Sequence, residues 1–323
     1  MTTTSTSRTA RRIRLSLVAG TAVLGLAVAT SGCGKADTGG GGDKNLTLLV
    51  PSWVGAEANV AVAKYLLENE MDYKVKSQQM DEPVAFDALN SNKADAILED
   101  WRGVPNKEKQ YIQKNKTVVD GGDLGVIGHI GWYVPSYFAE KHPDVLDWKN
   151  LDKYAKDFKT TESGGKGQLL EGSPSYTTND KWIIKNLKLN YKPVYAGSEA
   201  AQITQMKKYV KDKTPFITYW WTPQWLNDEL NLKEVKLPPY KKGCDKPAQN
   251  TDCAYPNTPL KKFFNKKFSE NGGDAAKFLR NFKWSTAQQN QVAGWIAGDG
   301  MTPEKAGEKW VKANKATWEK WMP

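Results

Sequence analysis

Beyond residue 44 the apolar positions switch between two periods. Leu46 to Val50 (LTLLV) is a short apolar run with the length of a buried strand, ended by Pro51-Ser52-Trp53-Val54-Gly55. From Ala56 to Asn69 apolar residues recur at helical spacing, at Val60, Ala63, Leu66 and Leu67. Tyr73 to Gln79 alternates as a strand does. Glu82 to Asn90 (EPVAFDALN) returns to helix, with Pro83 tolerated in the first turn. Ala94 to Leu98 (ADAIL) is another strand, running into Glu99-Asp100-Trp101. The order is β-α-β-α-β, which predicts a parallel sheet covered by helices. Ligands of such sheets sit beyond the C-terminal strand ends. Trp53 follows the first strand and Trp101 the third, so both indoles are predicted at one rim.

A further β-like run, Val126 to Pro135 (VIGHIGWYVP), leads into a second α/β series. Gly167 to Leu170 reads as a strand and Glu171 to Thr178 (EGSPSYTT) as a polar turn. Asn179 to Leu189 is a predicted helix opened by Asn-Asp, followed by a helix over Ala200 to Lys211. Pro215 to Trp221 (PFITYWW) is a strand of β-branched and aromatic residues, again delivering indoles at its end. Glu234 to Leu237 reads as a strand leading back to the first unit. The tail from Leu260 to Met322 is mostly helical, and its Trp284, Trp295, Trp310, Trp318 and Trp321 are expected to pack. No internal repeat is visible.

The N-terminus changes the setting. Arg8, Arg11, Arg12 and Arg14 precede an apolar run from Leu15 to Ala29, which ends in Thr30-Ser31-Gly32-Cys33. A basic start, a short apolar stretch and small residues describe a secretory signal peptide, residues 1–32. The run is too short for a membrane span of roughly 20 residues. The Cys after small residues resembles the bacterial lipoprotein box, although Thr30 stands where that signal usually has Leu. The resemblance implies lipidation of Cys33 and anchoring to the outer face of the cell membrane. Residues 33–44 then form a Gly-rich flexible tether.

Formal charge is +10 from 46 Lys and Arg against 36 acids. Residues 1–32 hold four Arg and no acid, which leaves 42 against 36, or +6. The lysines are scattered, with none of the basic striping that nucleic-acid binding requires. Cys244 and Cys253 close a short polar loop, GCDKPAQNTDC. Outside the cytoplasm this predicts a disulfide. A metal pair is disfavoured because His129 and His142 are both distant.

The chemistry rests on the indoles. Aromatic faces attract cations through their quadrupole, each ring contributing on the order of 0.5–2 kcal/mol. A quaternary ammonium has no N–H to donate, so rings are its natural receptor. Three or four rings, each worth more when water is excluded, support the roughly 8 kcal/mol of micromolar affinity. Four stretches then carry a family resemblance: LLVPSWVGAEANVAVAKYLLE, KADAILEDW, GWYVPSYF and YWWTPQWLND. In this order they resemble the substrate-binding proteins of bacterial importers for glycine betaine, choline and related osmoprotectants. The likeness runs from about Leu46 to Pro239.

The resemblance implies a two-lobed clamshell of the type II periplasmic-binding-protein kind, α/β in class, with a ligand cleft between lobes. One lobe would comprise residues 45–136 with 232–323, the other 137–231. Trp53, Trp101 and Trp221 become cage walls, with Trp132 or Tyr133 as a fourth; adjacent strand residues face opposite ways, and the sequence does not choose between them. Tyr176 and Ser175 lie where the family places polar contacts. Gln224 stands where betaine-binding members often have His, which leaves the partner of a ligand carboxylate open. Glu57 and Asp100 are candidate acceptors for a choline hydroxyl, or else a helix-start acid and a strand-end acid. The implied protein is a non-enzymatic monomer without cofactor or metal. Its partners would be a small quaternary amine, an ABC permease with a separate ATPase, and the membrane. The rival reading is a secreted carbohydrate-active or sugar-binding protein with an aromatic groove. A glycosidase needs two opposed carboxylates, which the adjacent Glu99 and Asp100 do not supply.

Overall fold

In the computed structural model, which describes residues 44–323, β1 (Asn45–Val50) pairs in parallel with β2 (Lys74–Gln79) and with β3 (Ala96–Asp100). The expected signal peptide, Cys33 and nearly all of the tether lie outside the described residues. Helices α1 (Val54–Asn69) and α2 (Glu82–Asn90) make the two crossovers. All five residues of β3 are buried. β3 is covered on both faces, so its apolar residues Ala96, Ile97 and Leu98 run on without alternation before Glu99 and Asp100.

The whole sheet runs in the order β2-β1-β3-β9-β4-β7-β5-β6. Its spine is β4 (Val118–Pro135), an 18-residue strand. Along residues 118–128 it pairs antiparallel with β9 (Thr258–Asn265). From His129 onward it pairs instead with β7 (Ile217–Thr222) and β8 (Leu232–Val235). The second half also contains β5 (Gly167–Glu171) and β6 (Tyr191–Tyr195), with the helices α3 (Asp180–Asn186) and α4 (Glu199–Asp212). One strand thus belongs to both halves.

The segment after β7 returns as β8, which pairs with Trp132–Pro135 of β4. The chain rejoins the first half only with β9. Between them lies the loop closed by the Cys244–Cys253 disulfide, and Asn186 of α3 donates to Gln249 O and Thr251 O to hold that loop in the second half. Sheet pairing is non-local, so a short β-like run does not announce which edge it joins.

The C-terminal helices α5 (Gly273–Asn281), α6 (Thr286–Ala297) and α7 (Pro303–Ala313) return to the first half and cover it. Trp284, Trp310, Trp318 and Trp321 are buried there, with Trp310 and Trp321 stacked at 5.6 Å. Each such indole hides roughly 150–250 Å² and contributes on the order of 4–6 kcal/mol of transfer free energy. These tail tryptophans are packing residues.

Candidate functional site

Glu99, next to last in β3, organises the rim of the first half. It is 1% exposed. Its Oε1 accepts the indole N–H of Trp53 at 2.6 Å and that of Trp101 at 2.8 Å. Its Oε2 accepts from Asn59 Nδ2 at 2.5 Å and from Gln289 Nε2. Burial pushes its pKa up, and these four donors pull it back. All four donors are neutral. A charge-assisted hydrogen bond is worth about 1.5–3 kcal/mol, so the set compensates for a carboxylate without a cation. Two indoles that start from different strand ends are thereby keyed to one oxygen. The Trp101 ring lies directly on the backbone of β4 at Gly128, where any Cβ would overlap it. The Trp101 backbone N–H donates to Glu82 Oε1 at 2.6 Å, and burial lifts Glu82 to about 7.

The second half answers with rings of its own. Tyr219 and Trp221 alternate along β7 and share a face, with centroids 5.8 Å apart. Tyr176, from the polar turn after β5, stands edge-on 6.0 Å from Trp221 and 6.0 Å from Trp53. Its hydroxyl donates to Ser52 O at 3.4 Å. Tyr255, beyond the disulfide, packs edge-on against Tyr219 at 6.2 Å. Trp53 and Trp101 pack against the same aromatic cluster as Tyr219, Trp220 and Trp221. A small cavity bounded by Trp53, Glu99, Trp221, Gln224 and Trp225 adjoins it.

Beside the rings the halves meet through a second carboxylate. Glu199 opens α4 and is buried. Its Oε2 accepts the Val54 N–H at 2.7 Å, in the first turn of the 16-residue α1. Its Oε1 accepts from Gln224 Nε2 at 2.6 Å. Two helix N-termini therefore converge on one anion, which their dipoles favour. Burial still lifts Glu199 to about 7.

The remaining candidates are distributed unevenly. Trp132 lies opposite Tyr219 in the β4–β7 register, and Tyr133 opposite Thr218. Directly opposed side chains share a face. Trp132 therefore sits on the ring side, but it is fully buried in the core of the second half, its N–H bonded to Asp180 Oδ1 at 2.5 Å. Tyr133 is on the other face, beside Gly131 and Glu234. Tyr176 contacts both Trp53 and Trp221. Ser175 is exposed and bonds Ser173 Oγ at 2.6 Å. Glu57 lines a groove of about 810 Å³ that Trp53 and Glu199 also border, together with Lys64 and Glu304. Asp100 is buried, accepts from the Arg102 N–H at 3.0 Å, and is pushed well up by burial and by Glu82. It ends its strand. Trp225 approaches Gly294 and Gly298 at the end of α6 and packs against the cluster that holds Leu226 and Leu230.

Glu99, Glu199, Tyr219 and Tyr255 were not singled out by sequence as binding-site residues. Tyr219 was within reach, because it is two residues before Trp221 in a strand. Glu99 has the same spacing to Trp101. Nothing local marks Glu199 or Tyr255, whose roles depend on contacts 145 residues away for Glu199 and 76 for Tyr255.

With this geometry in view, comparison with known proteins is direct. The family model described as the substrate binding domain of ABC-type glycine betaine transport system (OpuAC) matches residues 44–313. The trimethylamine N-oxide-binding protein of Pelagibacter ubique is 28% identical over 268 residues, covering 77% of this chain and 81% of that protein. The glycine betaine/carnitine transport binding protein GbuC of Listeria monocytogenes is 30% identical over 125 residues, 39% of this chain and 37% of GbuC. Among solved structures, an ABC-transporter choline binding protein in complex with choline superposes with TM-score 0.70 at 20% identity, over 86% of this chain and 91% of its own. Lactococcal OpuAC, closed around glycine betaine, gives 0.67 at 20% identity over 87% and 100%. These two share the fold, a two-lobed α/β architecture. The chain belongs to the family of substrate-binding domains of ABC-type glycine betaine transport systems.

Proposed function

We propose that this protein captures a quaternary ammonium compound of the glycine betaine or choline type outside the cytoplasm and delivers it to a membrane permease. Trp53 and Trp101 from one lobe and Trp221 with Tyr176 from the other enclose the methylated nitrogen. The lobes are residues 45–128 with 258–323, and 129–257. They close on the ligand by a hinge at the shared strand. Cys33 carries the lipid that retains the protein at the membrane, and a separate ATPase drives transport. The observation that carries this reading is the aromatic cluster built from both halves, with two indoles fixed by one buried carboxylate. Rings without hydrogen-bonding demands suit a ligand group that offers none.

The test is calorimetric titration of the purified protein with glycine betaine, choline, proline betaine, carnitine and ectoine, with glucose and maltose as sugar controls. Saturable binding of at least one methylated ammonium and of neither sugar is expected. Heat from a sugar alone would overturn the reading. Loss of membrane retention in Cys33→Ala, read by cell fractionation, tests the anchor separately.

A further inference from the structure

The donors that a ligand carboxylate would seek are already occupied by the protein's own carboxylate. Gln224 Nε2 and the first-turn N–H of α1 both bond Glu199. Val54 adjoins Trp53, and Gln224 is three residues from Trp221, so this anion stands beside the rings from both halves. Its charge reaches Tyr176, whose hydroxyl is pushed up first by burial and then by Glu199. On the other side of Trp53 lies Glu99, the second buried carboxylate. Among the described residues neither makes a salt bridge to Lys, Arg or His, and the hydrogen-bond donors to both are neutral indole, amide and backbone groups. Lys207 lies over the Trp225 ring at 5.2 Å.

An ammonium entering this site meets two anions and aromatic faces. The carboxylate of a zwitterion meets the same two carboxylates, which no cation bonds, and finds the Val54 and Gln224 donors already taken. Like charges in a water-poor site repel strongly, since the effective dielectric is far below that of water. We infer that Glu199 is a selectivity residue that turns this site toward methylated ammonium monocations without a carboxylate, of the choline type, and against glycine betaine. Glu199 acts through its charge and through its hold on Gln224. The inference rests on the aromatic capture proposed above and specifies which ligands it serves.

The experiment titrates the wild-type protein at pH 8, where Glu199, lifted by burial to about 7, is ionised, with choline, tetramethylammonium and glycine betaine, read by calorimetry and Trp fluorescence. Choline is expected to bind at least about tenfold more tightly than glycine betaine, and tetramethylammonium also more tightly than glycine betaine. In Glu199→Gln the choline-to-betaine ratio is expected to fall by at least about fivefold. Glu199→Asp, which keeps the charge, retains the preference within about threefold and serves if the Gln variant does not fold. Glycine betaine binding as tightly as choline to wild type overturns the inference and leaves the aromatic capture standing. So does an unchanged ratio in Glu199→Gln, or a ratio lost in Glu199→Asp. Binding of none of the three overturns both.

Discussion

The two halves fix their aromatic residues by different physics. In the first half, Trp53 and Trp101 are tied by their N–H groups to a single buried oxygen of Glu99. In the second, Trp221 is held by rings: Trp220 at 4.6 Å, Tyr219 at 5.8 Å and Tyr176 at 6.0 Å. A hydrogen bond sets a direction, and a ring contact sets a distance with latitude in angle. The first half therefore presents a fixed corner. The second presents a face that adjusts as neighbouring rings tilt. A polar change should disturb two rings at once in the first half, while the second should respond chiefly to changes of volume.

The largest effect expected is from removing a wall. Trp101→Ala and Trp221→Ala should each weaken binding of the methylated ammonium by about 100-fold or more, with circular dichroism unchanged. If affinity survives both, the rings are not the receptor and the contrast between halves loses its object. Next comes Glu99→Gln, in which an amide N–H₂ must face donors that now meet a carboxylate oxygen. A stability loss of about 2–4 kcal/mol in denaturant titration is expected, with an affinity loss of about tenfold. Tyr219→Phe, which keeps the volume, should change affinity by less than about threefold. Equal losses in these two variants would erase the asymmetry.

The pH dependence sharpens the same contrast at the junction. Folding raises Glu199 from 4.5 to about 7, so in that window the folded chain holds a proton the unfolded chain has released. This contribution to stability is full below about pH 4.5 and disappears as pH rises through 7. It amounts to at most about 3 kcal/mol, from 1.36 kcal/mol per pKa unit. Glu82, which also rises to about 7, acts in the same direction. Unfolding free energies measured at pH 5 and pH 8 should therefore decline less in Glu199→Gln than in wild type. An identical decline would remove Glu199 from the account. The smallest effects on binding belong to the β4 pair. Trp132→Phe abandons the bond to Asp180 and should cost about 1–3 kcal/mol of stability, with affinity within about threefold. Tyr133→Phe should leave affinity within the same range.

The parts legible in the sequence were those governed by local rules. Strand, turn and helix alternate with clear periods from Leu46 to Trp101, and strand ends of a parallel sheet share a rim, so Trp53 and Trp101 could be placed together before any coordinates. Trp221 followed from the same rule. What escaped was long-range. The choice between Trp132 and Tyr133 depends on register with β7, which puts Trp132 on the face of Tyr219 and Tyr133 on the other. The role of Glu199 requires that α1 and α4 begin head to head, which no spacing reveals. Glu57 is likewise an acid in a first turn and borders the same groove as Glu199. The edge joined by β8 was equally invisible, because a four-residue strand carries no record of its partner.

The long strand β4 has a mechanical consequence. It passes unbroken from one half to the other, so the halves are not beads on a loose string. Any swing between them must twist this ribbon where its partners change, between Gly128 and Gly131. Those two positions have no side chains to stiffen them, and the Trp101 indole lies flat against the first. The point where the ribbon changes partners and a surface that would touch the cargo are thus back to back, a fraction of a nanometre apart.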